Sequence, residues 1–406
     1  MMQGPVIIAG AGHAGFQLAV SLRQNGFSGP IALVNDEAHL PYQRPPLSKA
    51  YLKGTGGPDT LMFRPEKFYC DQSVELIADR AAAIDRGARR ISLASGASLD
   101  YGHLVLATGA RNRLLDIPNA NLDGVRYLRT LDDSEALRHW LASSQRAIVI
   151  GAGFIGLEFA ATARAKGLEV DVVELGARVM ARAVTAEISE FSQSRHAAAG
   201  VRIHFGVQVT SIESDGGRVT GVSLSDGRHL LADLVVVGVG VLPNVELAAE
   251  AGLPVAAGII VDEYLSTADP NISAVGDCAL FVSPRFGGSL RLESVQNATD
   301  HARCFAARLT GDAKPYDGLP WFWSDQGPDK LQMVGLTAGY DQVVVRGDRE
   351  AGAFSAFCYK SGRLLGIESV NRAGDHMFGR RLLAAHGSIT PEQAADASFD
   401  LKGALT

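Results

Sequence analysis

The sequence is poor in cysteine, and none of its cysteines forms a reactive spacing. Cys70, Cys278, Cys304 and Cys358 are scattered, with no CxxC or CxxxxC arrangement. That excludes a disulfide framework and a redox-active dithiol, and leaves four ordinary reduced thiols. Long apolar runs are also missing: none approaches the roughly 20 residues needed to span a bilayer. Lysine and arginine form no run, and the formal net charge is -6, so neither a nucleic-acid surface nor a polybasic membrane anchor is expected. The amino terminus, MMQGPVIIAG, enters a strand pattern without a basic leader or a cleavage site, and a cytoplasmic location is the expectation. The histidines, among them His13, His103 and His301, are spread out as structural or surface residues, and no metal constellation is visible.

Glycine is abundant instead, 45 of 406 residues, without a collagen-like period, which implies many tight turns. Two glycine stretches echo each other: VIIAGAGHAGFQLA at 6–19 returns as AIVIGAGFIGLEFA at 147–160. Each runs from an apolar strand through G-x-G-x-x-G into a helical pattern. In that motif the first glycine allows the tight turn, the second lets the backbone approach a pyrophosphate, and the third lets helix and strand pack closely. The helix amino terminus then holds the phosphate charge.

The glycines are Gly10, Gly12 and Gly15 in the first copy and Gly151, Gly153 and Gly156 in the second, where Phe154 and Ile155 lie within the loop. An acid follows each at about 20 residues, Asp36 with Glu37 for the first and Glu174 for the second. A carboxylate there accepts from a ribose 2′-hydroxyl and repels a 2′-phosphate, so Glu174 argues for NADH over NADPH. Arg178 and Arg182 follow it and are read as helix-surface or pyrophosphate-facing residues.

The chain reads as a strand over 5–9, a helix over about 14–24 and a strand over 31–34, then the proline-rich loop and short helix of LPYQRPPLSKAYLKG. A hairpin leads to a strand over 103–107 that stops at Thr108-Gly109. The second unit runs from about 145 through a helix near 185–199 to LVVVGVG, which contains Gly238. A short strand over 272–275 ends in Gly276-Asp277, and a helix is placed near Asn297. From about Gln326, KLQMVGL, DQVVVRG, AFSAFCY and RLLGIESVN are regularly spaced strands followed by helical stretches.

Two dinucleotide sites in one chain point to hydride transfer between a nicotinamide and FAD. RPPLSKAYL, LVLATGARNR, RYLRTLDD, IGAGFIGLEFAATA, GVGVLPN, AVGDCA, ESVQNA and PWFWSDQ together resemble the putidaredoxin reductase-like ferredoxin reductase family over nearly the whole chain. The expected fold is α/β, with two Rossmann-like dinucleotide-binding domains (a glutathione-reductase-like FAD/NAD fold) plus a C-terminal α+β domain. The FAD-binding domain would be discontinuous, 1–112 and 245–325, the NAD-binding domain 113–244, and the last domain 326–406.

The resemblance implies that Gly10, Gly12, Ala14 and Gly15 hold the pyrophosphate of a tightly bound FAD and Asp36 its adenosine ribose, with Arg44, Lys49, Ala82, Thr108, Gly109 and Arg129 lining the same cofactor. Gly276 and Asp277 would meet the ribityl chain and Val295 the flavin ring, while Gly151, Gly153, Phe154, Ile155, Gly156, Glu174 and Gly238 would take NADH. Lys49 and Glu158 would form a partly buried ion pair near flavin and nicotinamide, with Pro46 packed at the flavin and Trp323 facing a [2Fe-2S] ferredoxin. NADH gives two electrons as hydride while such a centre takes one at a time, so flavin would convert between them without a metal or an acid–base triad.

The ferredoxin would in turn supply a cytochrome P450 or another oxygenase. Arg291, Arg303, Arg308, Lys330 and Arg372 are candidates for a basic docking face. A monomer or weak dimer is implied. Rubredoxin or dioxygenase-system reductases share the architecture, as do the NADH-responsive relatives of apoptosis-inducing factor.

Overall fold

The computed structural model describes residues 4–405. The chain forms two compact units. One contains the segment ending at Gln43, Pro58–Arg111 and Val241–Pro320; the other contains Arg44–Gly57, Asn112–Gly240 and the chain from Trp321 on.

The first unit is built on a five-stranded sheet in the order Ile272–Ala274, His103–Leu106, Val6–Ala9, Ile31–Asn35, Val74–Ala78, with every neighbouring pair parallel. Its strands read VIIA, IALVN and HLVL, nearly continuous in apolar character, because a parallel sheet is covered on both faces. Val6, Ile8, Leu104, Val105 and Leu106 are fully buried. Successive crossovers leave the first strand in opposite directions, so the crevice at its carboxyl end is where such sheets take ligands. The predicted hairpin is present as Arg90–Leu93 and Ser98–Asp100, joined by Ala81–Asp85.

The second unit repeats the plan with Val201–Phe205, Glu169–Glu174, Arg146–Ile150, Leu234–Val237 and Val125–Arg126, again all parallel. It also carries a wholly antiparallel sheet, ordered Trp321–Gln326, Asp329–Gly335, Arg363–Val370, Ala353–Lys360, Gln342–Asp348. This sheet starts at Trp321, ahead of the expected start near Gln326. WFWSDQ is its edge strand. The fold class expected from the sequence is therefore present: two Rossmann-like dinucleotide-binding sheets and a C-terminal α+β part.

Within this unit Glu368 is a fully buried acid. It accepts from the Thr185 amide at 2.8 Å and hydroxyl at 2.9 Å, and from the Thr337 hydroxyl at 2.8 Å. Thr185 caps the Ala186–Ala198 helix, so the carboxylate sits at that helix's positive end. Burial raises its pKa in spite of these donors. An acid whose folded pKa lies above the unfolded value contributes stability that is fully present below the unfolded pKa and is lost as pH rises through the folded one. Glu368→Gln keeps the acceptor and removes the titration. The expected result is a smaller loss of melting temperature between pH 5 and pH 8 than in the parent; an identical loss would remove Glu368 as the cause.

Candidate functional site

The first glycine loop follows Val6–Ala9. Gly10 has φ +113° and lies against the next strand, where an added Cβ would fall 2.3 Å from the Ala107 carbonyl oxygen. At Gly15 the same test meets the Gly10 carbonyl at 1.9 Å, which is the close helix–strand packing. At Gly12 a Cβ would meet nothing within 4 Å. The protein leaves that space open. The His13–Gln24 helix starts there with Gly12 as its cap and no side chain satisfying its first amides, so N–H donors and the positive end of the dipole face the opening.

The second loop has the same geometry. Gly151 (φ +99°) would clash at 2.6 Å with the Gly238 carbonyl and Gly156 at 2.2 Å with that of Gly151, while Gly153 has only the Gly238 oxygen, at 3.9 Å. Gly153 caps the Phe154–Ala165 helix, again without a side-chain bond. Two other helices of the second unit, Leu131–Ser143 and Ala186–Ala198, are instead capped by the side chains of Thr130 and Thr185.

A cavity of about 260 Å³ opens beside the first loop, lined among others by Gly10, Asp36, Arg80, Ala82, Thr108 and Asn244. Thr108 and Asn244 hold each other: the Thr108 hydroxyl donates to the Asn244 carbonyl at 2.7 Å and the Asn244 amide to the Thr108 carbonyl at 2.8 Å. Asn244 has no sequence signal of its own, although it ends the GVGVLPN motif. Asp36 and Glu37 separate in role. Glu37 accepts from the Tyr42 hydroxyl, while Asp36 is exposed on the cavity wall.

In the second copy Glu174 takes the Ala152 amide on one oxygen and the Gly176 amide on the other, both at 2.7 Å. The carboxylate pins its own loop, and each oxygen keeps a lone pair for a ribose hydroxyl. Arg178 is committed to the carbonyls of Val184, Thr185 and Ala181. It is thus a loop clamp.

Gly276 (φ +77°) lies against Ala14, whose Cβ would stand 3.0 Å from one added at Gly276. Asp277 follows in the short turn Gly276–Cys278. The next helix is Val295–Leu309, capped by Ser294. It starts two residues before the expected position near Asn297, so Val295 is its first residue. His301 is fully buried and accepts the Gly276 amide at 3.2 Å. Burial pushes its pKa down to about 3, so it is a neutral acceptor beneath that turn. His103, pushed down to about 4 mainly by burial, pairs with the Ser273 hydroxyl at 3.0 Å.

In the second unit Arg44 donates to the Arg129 carbonyl at 2.8 Å, which brings two of the residues ascribed to the cofactor together. Pro46 lies in the turn Pro45–Ser48, and Lys49 directly follows it. The Lys49 ammonium meets Glu158 at 2.7 Å. Glu158 also accepts the Ser48 hydroxyl at 2.5 Å and the Ser324 hydroxyl at 2.6 Å. Neither serine stands out in the sequence. A buried carboxylate stripped of its cation costs about 3–5 kcal/mol, and these hydroxyls share the load.

Trp323 is half-buried, its ring 5.7 Å from that of Trp321. Of the expected docking cations, Arg308 donates to the Tyr264 carbonyl, Arg291 pairs with Glu293, Arg303 lies 3.6 Å from Asp300 and Arg372 pairs with Asp375. Lys330 is exposed. No group of His, Cys, Asp and Glu able to hold a metal occurs among the described residues, and among them no helix is long and apolar enough to cross a membrane.

The residues present fit two dinucleotides: two bare helix starts, each with a glycine that leaves the ligand's space open and an acid at the far strand end. This defines a paired-dinucleotide oxidoreductase. Residues 4–302 match the pyridine nucleotide-disulphide oxidoreductase family and residues 321–405 the reductase C-terminal family. The chain belongs to the former, and within it to the putidaredoxin reductase-like ferredoxin reductases.

It is 53% identical to rhodocoxin reductase of Rhodococcus erythropolis over 98% of this chain and 94% of that one. The crystal structure of the ferredoxin reductase for the CYP199A2 system from Rhodopseudomonas palustris superposes with a TM-score of 0.98 at 70% identity, covering 99% of this chain and 100% of that one. Putidaredoxin reductase in its covalent complex with putidaredoxin gives 0.97 at 40% identity, covering 100% and 99%.

Proposed function

We propose that the chain is an FAD-dependent NADH:ferredoxin reductase of the cytoplasm, passing electrons to a [2Fe-2S] ferredoxin that supplies a cytochrome P450 or another oxygenase. The observation that carries this reading is the pair of open glycine cradles in a chain so similar to ferredoxin reductases. Bound FAD supplies the conversion of one hydride into two single electrons.

The protein's part is to hold and orient. Gly10, Gly12, Ala14 and Gly15 with the helix start at His13 bind one pyrophosphate, Asp36 takes the ribose beside it, and Gly276, Asp277 and Val295 meet the rest of that cofactor. Gly153, Phe154, Ile155 and Gly156 receive NADH, and Glu174 reads its ribose. Lys49 places a positive charge where hydride arrives, held there by Glu158. Trp323 is the exit toward the ferredoxin. We place the FAD-binding part in 1–112 and 245–320, the NAD-binding part in 113–244 and the C-terminal part from Trp321 on, where its sheet starts.

Stopped-flow reduction of the purified protein by NADH and NADPH tests this. With Glu174 at the ribose and Arg178 spent on carbonyls, NADH is expected to outperform NADPH by about tenfold or more in rate at low concentration, since a 2′-phosphate would meet a carboxylate. Absence of flavin from the purified protein would sink the reading.

A further inference from the structure

Side chains alternate along a strand, so Phe322, Ser324 and Gln326 share one face of Trp321–Gln326, and Trp321, Trp323 and Asp325 share the other. The first face is directed at the helices Phe154–Ala165 and Ala186–Ala198 of the same unit. The Phe322 ring lies 4.8 Å from that of Phe154. Ser324, fully buried, donates to Glu158 Oε1 at 2.6 Å. Gln326 donates to the Ser324 oxygen at 3.4 Å, and its own carbonyl oxygen accepts from Ser192 at 2.6 Å and lies 3.2 Å from His196 Nε2. Burial lowers the His196 pKa, so the ring is neutral and its Nε2–H donates. A continuous chain of hydrogen bonds therefore runs from the Ala186–Ala198 helix through the strand to Glu158.

At its other end the carboxylate holds Lys49. The side chain of Glu158 is 1% exposed and that of Lys49 16%, so the carboxylate is the anchor and the ammonium the reaching group. Oε2 takes both Lys49 and Ser48, and Oε1 takes Ser324. With these donors on its two oxygens, the carboxylate has one orientation. With Lys49 alone it would be free to turn.

We propose that Ser324 is a positioning residue for NADH oxidation: with Ser48 it fixes the Glu158 carboxylate, and through it the Lys49 ammonium. This rests on the flavoprotein reading above. It gives the edge strand of the C-terminal sheet two duties on its two faces, the half-buried aromatic pair on one and the carboxylate lock on the other. Removing the Ser324 hydroxyl leaves a buried oxygen without its donor, and the ion pair resettles around Oε2. The reaction is sensitive to such a shift because a charge contributes only when it is placed where charge develops.

The test uses the flavin-loaded protein with Ser324→Ala, Ser324→Thr and Ser48→Ala. In Ser324→Ala the limiting rate of flavin reduction by NADH is expected to fall about tenfold, the size of one lost hydrogen bond to a buried charge, with the half-saturating NADH concentration little changed. The flavin midpoint potential should become more negative, and ferricyanide oxidation of the chemically reduced protein should stay as in the parent. Ser324→Thr, which keeps the hydroxyl, should restore rate and potential.

A parent-like limiting rate and potential in Ser324→Ala, or a folded Ser324→Thr that restores neither, overturns the proposal. Should Ser324→Ala not fold, the same two quantities are measured in Ser48→Ala: a slower limiting rate with a more negative potential supports the proposal, and parent-like values of both overturn it. A purified chain without flavin overturns the ferredoxin-reductase reading and this one together; a yellow protein reduced by NADH whose variants match it overturns this one alone.

Discussion

A Gly153→Val variant is expected to remain a folded yellow protein that NADH no longer reduces at ordinary concentrations. The three glycines of the second loop are not equivalent. Gly151 and Gly156 face the protein's own backbone, at 2.6 and 2.2 Å from a carbonyl oxygen, so substitution there disturbs the fold before it disturbs a ligand. Gly153 faces open space, with the nearest atom 3.9 Å from an added Cβ, and its φ of -80° is one any residue adopts. A valine there costs the free protein little and occupies the place where a pyrophosphate must approach the helix start.

The expected consequence is a rise of about 100-fold or more in the dissociation constant for NADH, equivalent to ~2.7 kcal/mol. Flavin content and melting temperature should stay near those of the parent, because the first loop is untouched. Retention of NADH affinity by a folded Gly153→Val would remove the second loop as the nicotinamide site. Loss of flavin instead would mean that the two loops have been assigned the wrong way round.

Both loops are legible in the sequence because the physics of glycine is local: a strand, a turn with positive φ and a helix start lie within ten residues of one another. The acids that follow are legible in position but not in function. The turn after Ile31–Asn35 is held by the Asn35 side chain on the carbonyls of Glu37 and His39, and this is what turns Asp36 to the cavity and leaves Glu37 to Tyr42. No spacing rule contains that information. The helix at Val295 begins two residues earlier than the sequence reading places it: Ser294 is its cap, a residue type that marks helix starts, and its hydroxyl accepts from the Asn297 amide at 3.1 Å.

The Lys49–Glu158 pair follows from the resemblance, yet its setting is not readable. Ser48 and Ser324 reach Glu158 across 110 and 166 residues of sequence, and a single serine carries no pattern that announces such a partner. The edge strand is hard to see for a similar reason. WFWSDQ lacks the apolar–polar alternation of a half-buried strand because both of its faces are used, one against Phe154 and Glu158 and the other at the Trp321–Trp323 pair.

Trp323→Ala is expected to leave reduction of ferricyanide by NADH within about twofold of the parent while ferredoxin reduction falls about 30-fold or more, the cost of truncating an aromatic anchor of ~2 kcal/mol. The surroundings argue for this division. Trp323 shares its strand face with Trp321, and the Arg380 guanidinium lies 4.3 Å over the Trp321 ring, an arrangement worth about 0.5–1 kcal/mol in itself. His376 packs edge-on to Trp321 and is held neutral, its pKa pushed down to about 4 by burial and by Arg380 and Lys330.

These two cations thus stand beside the aromatic pair, whereas Arg308 and Arg372 from the sequence-based set are bound up in contacts of their own. The docking cations expected here are Lys330 and Arg380, and an acidic ferredoxin should bind more weakly as salt rises. Ferricyanide is small and needs no docking face, so it reports on the NADH half of the reaction alone. Equal loss of both activities in Trp323→Ala would place Trp323 in the core or at the nicotinamide, and a ferredoxin affinity indifferent to salt would remove the basic patch from the docking surface.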